Sequence, residues 1–152
     1  MIYKEWLDIW IEDSVRPVAK QRTYERYKDI TLGHIAPLLG QYNLDSLTPS
    51  VLQSFVVELL ERGNLVSGKG LSSATVNTVI TVLQNSLKSA RAFGQTKEYF
   101  ADRIRRPRME EKQISCFTLA QQRQIEEEIA KGKKDKMFGV ILCLYTGIRI
   151  GE

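Results

Sequence analysis

Apolar residues recur at helical spacing along nearly the whole chain. Over residues 3–11, Tyr3, Trp6, Leu7, Trp10 and Ile11 follow the i, i+3, i+4, i+7, i+8 rhythm of an amphipathic helix. A second helix is expected from about Lys20, carrying Tyr24, Tyr27, Ile30, Leu32, His34 and Ile35 and ending by P-L-L-G at Gly40. Gly33 within it argues against one unbroken helix. The third is signalled by L-T-P: Thr48 as N-cap, Pro49 at the first helical position, and Leu52, Phe55, Val56, Leu59 and Leu60 as the buried face up to Gly63. Residues 64–70 (N-L-V-S-G-K-G) read as a loop. A long fourth helix then starts at Ser72-Ser73, with Val76, Val79, Ile80, Leu83, Leu87, Ala90 and Phe93 as its stripe and Gly94 as its end.

The pattern changes after residue 102. Residues 103–112 (R-I-R-R-P-R-M-E-E-K) carry four arginines and a proline with almost nothing to bury, so they read as an inter-domain linker. A β-compatible stretch follows at 114–117. Thr118 and Gln121 then form a capping box for a helix reaching about Lys131. The last helix, residues 137–145 (M-F-G-V-I-L-C-L-Y), is apolar on every side and should lie in a core. Residues 113–152 hold too little material to enclose it. The expected organisation is therefore a helical domain over 1–102, a basic linker over 103–112, and over 113–152 the opening of a second domain whose remainder is absent.

Composition narrows the classes. The chain has 152 residues, 43% hydrophobic and 26% charged, with no apolar run approaching the ~20 residues a bilayer span requires. M-I-Y-K-E-W-L-D-I-W carries acids and tryptophans, unlike a signal peptide. Two isolated cysteines, Cys116 and Cys143, and a single histidine, His34, are too few for a zinc site, and no metal or other cofactor is expected. The cysteines read as small apolar packing groups in a reducing cytoplasm, and His34 as a helix-end residue. The net charge is +4 but unevenly spread. Residues 1–62 hold 7 basic and 9 acidic residues, residues 63–112 hold 9 and 4, and residues 113–152 hold 6 and 5. The excess in the middle suits a polyanion, or simply a solvated basic segment.

The ending T-G-I-R-I-G-E (146–152) carries candidate chemistry. Gly147 can adopt the left-handed conformation that terminates a helix, turning the chain just before Arg149. An arginine rooted there presents a planar fork suited to two phosphate oxygens, as phosphoryl transfer requires. The competing reading is a helix cap followed by a structural Arg–Glu pair.

Further groups suit phosphates. Lys20, Arg22, Thr23, Arg26 and Lys28 cluster around the start of the second helix. Ser72, Ser73, Thr75 and Asn77 put hydroxyls and an amide at the N-terminal end of the long helix, where they can cap it or reach phosphates and base edges. Lys88 and Arg91 continue one face of that helix, and Arg103, Arg105, Arg106 and Arg108 lie in the linker.

Taken together, these motifs resemble the tyrosine recombinases, the phage-integrase type of site-specific recombinase, over essentially the whole length. R-T-Y-E-R-Y (22–27), H-I-A-P-L-L-G (34–40), L-T-P (47–49) and L-S-S-A-T-V-N (71–77) occur in family order, and F-T-L-A-Q-Q (117–122) matches the opening of the family's catalytic domain. The terminal motif matches the family's T-G-[LMI]-R-x-[SGA]-E. The resemblance implies a mainly α chain: a SAM-like helical core-binding domain of four to five helices, then the opening β-strand and two helices of an incomplete α+β catalytic domain. It implies that Arg149 holds the scissile phosphate and that Glu152 is the supporting acid. It also implies that the linker passes along the duplex. The family's later lysine, H-x-x-R pair, further His or Trp, and tyrosine nucleophile all follow this motif. The six tyrosines here precede it, so the chain as given is expected to bind double-stranded DNA without cutting it, and its longer parent to self-associate on DNA and cleave through a 3′-phosphotyrosine. One departure is local: F-G-Q-T-K-E-Y-F-A-D (93–102) replaces the family's Asn-Pro turn. A non-enzymatic helical DNA-binding regulator and a helical protein-interaction domain are the rival readings.

Overall fold

A computed structural model describes residues 1–63, 68–109, 115–131 and 136–149 of the chain. It divides into two units, Met1–Glu110 and Glu111–Glu152.

The first unit is helical, and its elements form for local reasons. Helix α1 (Tyr3–Ile9) runs directly into a wider, π-type turn over Trp10–Val15, closed by the Arg16 amide donating to Ile11 O at 3.0 Å. α2 (Gln21–Ile30) passes through a second wide turn, Thr31–Ile35, into the short α3 (Ala36–Leu39). Gly33 therefore does not break this helix. The chain absorbs it by widening one turn, so the helical path continues to Leu39. Thr48 caps α4 (Pro49–Arg62), its hydroxyl accepting from the Val51 amide at 3.4 Å. Ser72 caps α5 (Ser73–Ala92) by accepting from Thr75 N at 3.2 Å.

α5 ends as its sequence requires. Gly94 adopts φ +71°, and the Gly94 and Gln95 amides return to Arg91 O (3.0 Å) and Ala90 O (2.9 Å). That pairing is the Schellman arrangement, which satisfies carbonyls the helix end would leave open. It also settles the path of 93–102: Thr96 turns inward and its hydroxyl donates to the Asp45 carboxylate at 2.8 Å.

α5 is the axis of the core. Val76, Val79, Ile80, Val82, Leu83, Leu87 and Ala90 are buried along it, against Tyr3, Trp6 and Leu7 from α1 and Leu52, Phe55, Val56 and Leu59 from α4. Ser86 is the polar exception, and it is fully satisfied. Its hydroxyl bonds to the Tyr3 phenol and Leu83 O, and its carbonyl accepts from Trp6 Nε1 at 3.0 Å. Burial pushes the Tyr3 phenol well up, which keeps it neutral and able to make this bond. Two expected core positions differ. Leu60 is 37% exposed, and Phe93, past the last turn of α5, is 64% exposed with its ring 6.0 Å from Trp6.

The stretch expected to be a linker is largely part of this unit. Ala101–Arg103 forms a 3₁₀ turn, and Ala101 and Ile104 are buried. One isoleucine among the arginines suffices to dock the segment. Reciprocal bonds between the Gln53 side chain and the Arg105 backbone (3.0 and 3.5 Å) hold it there.

In the second unit, α6 (Leu119–Lys131) starts with the expected capping box. The Thr118 hydroxyl accepts from Gln121 N (3.3 Å), and Gln121 Oε1 accepts from Thr118 N (2.9 Å). α7 (Lys136–Thr146) packs against α6, tied by Tyr145 donating to Glu126 at 2.8 Å. Expected to be core, α7 is only partly covered within the unit: Val140, Leu142 and Tyr145 are 41%, 46% and 67% exposed. The β-strand expected at 114–117 does not form at 115–117, and Ile114 lies outside the described residues. The single β-bridge among the described residues pairs Ile2 with Asn43.

Candidate nucleic-acid interface

α2 and α5 lie against each other in the first unit, and a groove of about 750 Å³ opens along their exposed sides. α2 contributes Lys20, Arg22, Thr23, Arg26 and Tyr27. α5 contributes Ala74, Asn77, Thr78, Thr81 and Val82, and Arg106 and Met109 close one side. Four of these residues are basic and none is acidic. Three further concavities on the same unit each carry carboxylates: Glu58 in one, Asp8 and Glu12 in another, Glu5 in the third. The α2–α5 groove alone among them combines cationic walls with a carboxylate-free lining, so its potential favours an anion.

Local chemistry positions each part. No side chain caps α2, whose first turn carries no acidic residue, so its N-terminus keeps its positive dipole end. Lys20, Arg22 and Arg26 are exposed, and among the described residues their charged groups have no hydrogen-bond or ion-pair partner. Lys28 lies over the Tyr24 ring at 5.7 Å instead of lining the groove. Tyr24 in turn donates to Glu12 at 2.7 Å. That bond, then Arg16 beside it at 2.9 Å, holds the Glu12 carboxyl below its usual range. Tyr27 OH accepts from Asn85 Nδ2 at 3.2 Å, which ties α2 to α5, and the Tyr27 ring stacks on Trp10 of the wide turn after α1.

On α5 the groove residues share one face. Asn77, Thr81, Lys88 and Arg91 follow one another at spacings of four, seven and three, so Lys88 and Arg91 extend the same stripe about 16 and 21 Å beyond Asn77. Ser72 and Thr75 are otherwise engaged: the Ser72 hydroxyl is the helix cap and bonds the Thr75 hydroxyl at 2.9 Å. Neither they nor Ser73 line the groove. Asn77 donates its amide to Pro107 O at 3.2 Å, and its Oδ1 is buried without a partner. It serves as a tie between α5 and residues 104–109, and is not splayed toward solvent.

The remaining arginines separate by role. Arg105 and Arg108 are exposed next to the groove wall. Arg103 packs over the Phe100 ring at 5.6 Å. Thr78 and Thr81 escaped the sequence reading. Both return hydroxyl bonds to the i−4 carbonyl (3.1 and 2.9 Å). The available signal was a polar row at i, i+4 opposite the apolar stripe of the fourth helix.

The terminal motif is built as expected up to Arg149. Gly147 adopts φ +70° with open space where a Cβ would sit, so backbone conformation and not crowding requires glycine. The Gly147 amide donates to Cys143 O at 2.9 Å, while the Thr146 hydroxyl donates to Leu142 O and accepts from Ile148 N. Arg149 is thereby held on an exposed turn. Glu152 lies outside the described residues. No group of three or more potential metal ligands occurs among the described residues.

Comparison with known proteins agrees with this architecture. Residues 2–60 match the family described as "Phage integrase, N-terminal SAM-like domain". The solution structure of the phage integrase SAM-like domain from a Moorella thermoacetica protein superimposes with a TM-score of 0.59 at 27% identity. The match covers 72% of this chain and 88% of that one. The helical unit resembles a phage integrase SAM-like domain. Both likenesses point the same way as the sequence motifs. Comparison with curated proteins gives no match. No helix among the described residues is long and apolar enough to cross a membrane.

Proposed function

We propose that the chain belongs to the tyrosine recombinase/integrase family and that its SAM-like helical unit binds duplex DNA through the α2–α5 groove, as the DNA-holding part of a site-specific recombinase. The observation that carries this is the convergence of Lys20, Arg22 and Arg26 with the polar face of α5 in a groove that lacks carboxylates. A duplex carries a phosphate charge about every 1.7 Å, so side chains that lack partners of their own are suited to replacing its counterions. α5 itself, at about 30 Å, is long enough to follow a major groove about 12 Å wide. Lys88, Arg91, Arg105 and Arg108 extend the positive surface past the groove, and Ser73 lies on the same face of α5. Ser72 and Thr75 act first as the cap.

In this reading Arg149 is the phosphate-binding arginine of the catalytic centre, with Glu152 as its supporting acid. The turn at Gly147 supports the first role by holding the guanidinium outside the helix. Strand cleavage through a 3′-phosphotyrosine belongs to a protein that also supplies the family's nucleophile. Such a protein self-associates on DNA, needs no metal for the reaction and works in the cytoplasm.

Fluorescence anisotropy of a labelled duplex, titrated with the whole chain at several salt concentrations, tests the DNA reading. The logarithm of the binding constant is expected to fall steeply with the logarithm of salt, with a slope of about −3 or steeper for three or more phosphate contacts. No binding at about 50 mM salt, or binding indifferent to salt, overturns it.

A further inference from the structure

Arg106 stands apart from the other cations of the groove because its hydrogen-bond donors are already engaged. Its Nη1 donates to Asn77 O at 3.1 Å and to Thr81 Oγ1 at 3.2 Å. Its Nη2 donates to Thr81 Oγ1 at 3.3 Å and to Gln84 Oε1 at 2.6 Å. Both terminal nitrogens are therefore committed to three acceptors spread over two turns of α5. The acceptors are themselves held: Thr81 bonds back to Asn77 O, and Gln84 Nε2 donates to Ala101 O at 2.9 Å. On either side of Arg106 the backbone is also pinned, Arg105 by Gln53 and Pro107 by Asn77.

We propose that Arg106 is a positioning residue for DNA binding. Its fork locks residues 104–109 onto α5 as one wall of the groove and makes no phosphate contact itself. This inference rests on the groove being the DNA site, and it divides the groove's cations by task. Lys20, Arg22 and Arg26 supply charge to the ligand. Arg106 supplies shape, and its lock sets where Arg105 and Arg108 emerge. The chemistry discriminates the roles, because a planar fork spans three acceptors whereas a lysine ammonium offers the same charge from one nitrogen.

Two substitutions and two readouts test it. Arg106→Lys keeps the charge and loses the fork, while Arg106→Gln loses both. In the free protein, hydrogen exchange of the Arg105 amide reports the lock directly, since that amide donates to Gln53. If Arg106 positions, Arg106→Lys speeds this exchange roughly fivefold or more and lowers duplex affinity as far as Arg106→Gln does. If instead Arg106→Lys keeps wild-type exchange and affinity, and Arg106→Gln makes the salt slope shallower by about 0.9, Arg106 is a phosphate ligand and the proposal is wrong. Gln84→Met removes one acceptor while leaving every cation in place; unchanged exchange at Arg105 in that variant also overturns the lock. Failure of the unmodified chain to bind DNA would refute the DNA reading, and the exchange measurements would still decide on the lock.

Discussion

Replacing Lys20, Arg22 and Arg26 together by glutamine is expected to make the salt slope of duplex binding shallower by about 2.7, roughly 0.9 per phosphate contact removed. At about 50 mM salt the same variant is expected to bind on the order of a hundredfold to a thousandfold more weakly, since each hydrogen bond to a charged group is worth about 1.5–3 kcal/mol before compensation by neighbouring cations. The fold should not be disturbed. All three side chains are exposed, and their charged groups have no partner among the described residues, so each substitution stays within about 0.5 kcal/mol in stability. Anisotropy titrations across salt, with a thermal melt as control, read both quantities. An unchanged slope with an unchanged melt would remove the α2 cations from the interface.

The second large effect concerns the core that holds the groove together. Leu83 is fully buried at the middle of α5, where the apolar faces of α1 and α4 meet it. Leu83→Ala keeps helix propensity at its best value, so the loss is one of packing alone. It is expected to cost about 2–5 kcal/mol through lost burial and the cavity left behind. For a domain of this size that lowers the melting temperature by more than about 10 °C, measured by circular dichroism at 222 nm. A shift under about 3 °C would mean that α5 is not the axis of the core. Because total stability is only about 5–15 kcal/mol, DNA binding should weaken in this variant at temperatures where wild type is fully folded.

Features governed by residues a few positions apart were legible in the sequence. Thr48, Ser72 and Thr118 cap their helices because a hydroxyl in that position meets the amide three residues on. Gly94 and Gly147 adopt positive φ at helix ends for an equally local reason. The apolar stripe from Val76 to Ala90 located the core face of α5 correctly. The resemblance to the tyrosine recombinases rested on several short motifs in one order, none decisive alone.

What stayed hidden depends on distant contacts. Periodicity does not register the wide turns at Trp10–Val15 and Thr31–Ile35, because segments of 6 and 5 residues are too short to display a period of their own. Residues 103–112 look like a linker by composition. The docking of residues 104–109 rests on one buried isoleucine and on glutamine, asparagine and arginine ties that reach 22 to 52 residues along the chain. The same distance explains Asn77. In sequence it is a polar residue near a helix start, fit for reading bases, and in the fold its amide is spent on Pro107 O. The gathering of Arg22 and Arg26 with Thr78 and Thr81 is likewise a product of α2 packing on α5, which no short window contains.

The central claim is that the α2–α5 groove is the DNA-binding face, and backbone amide shifts followed by NMR during titration of the whole chain with a short duplex test it most directly. Shifts concentrated at residues 20–27 and 74–82, extending along α5 toward Lys88 and Arg91, are the expected result. Shifts confined to the face of Leu38, Tyr42 and Ser54 beside Glu58, with residues 20–27 unmoved, would contradict it.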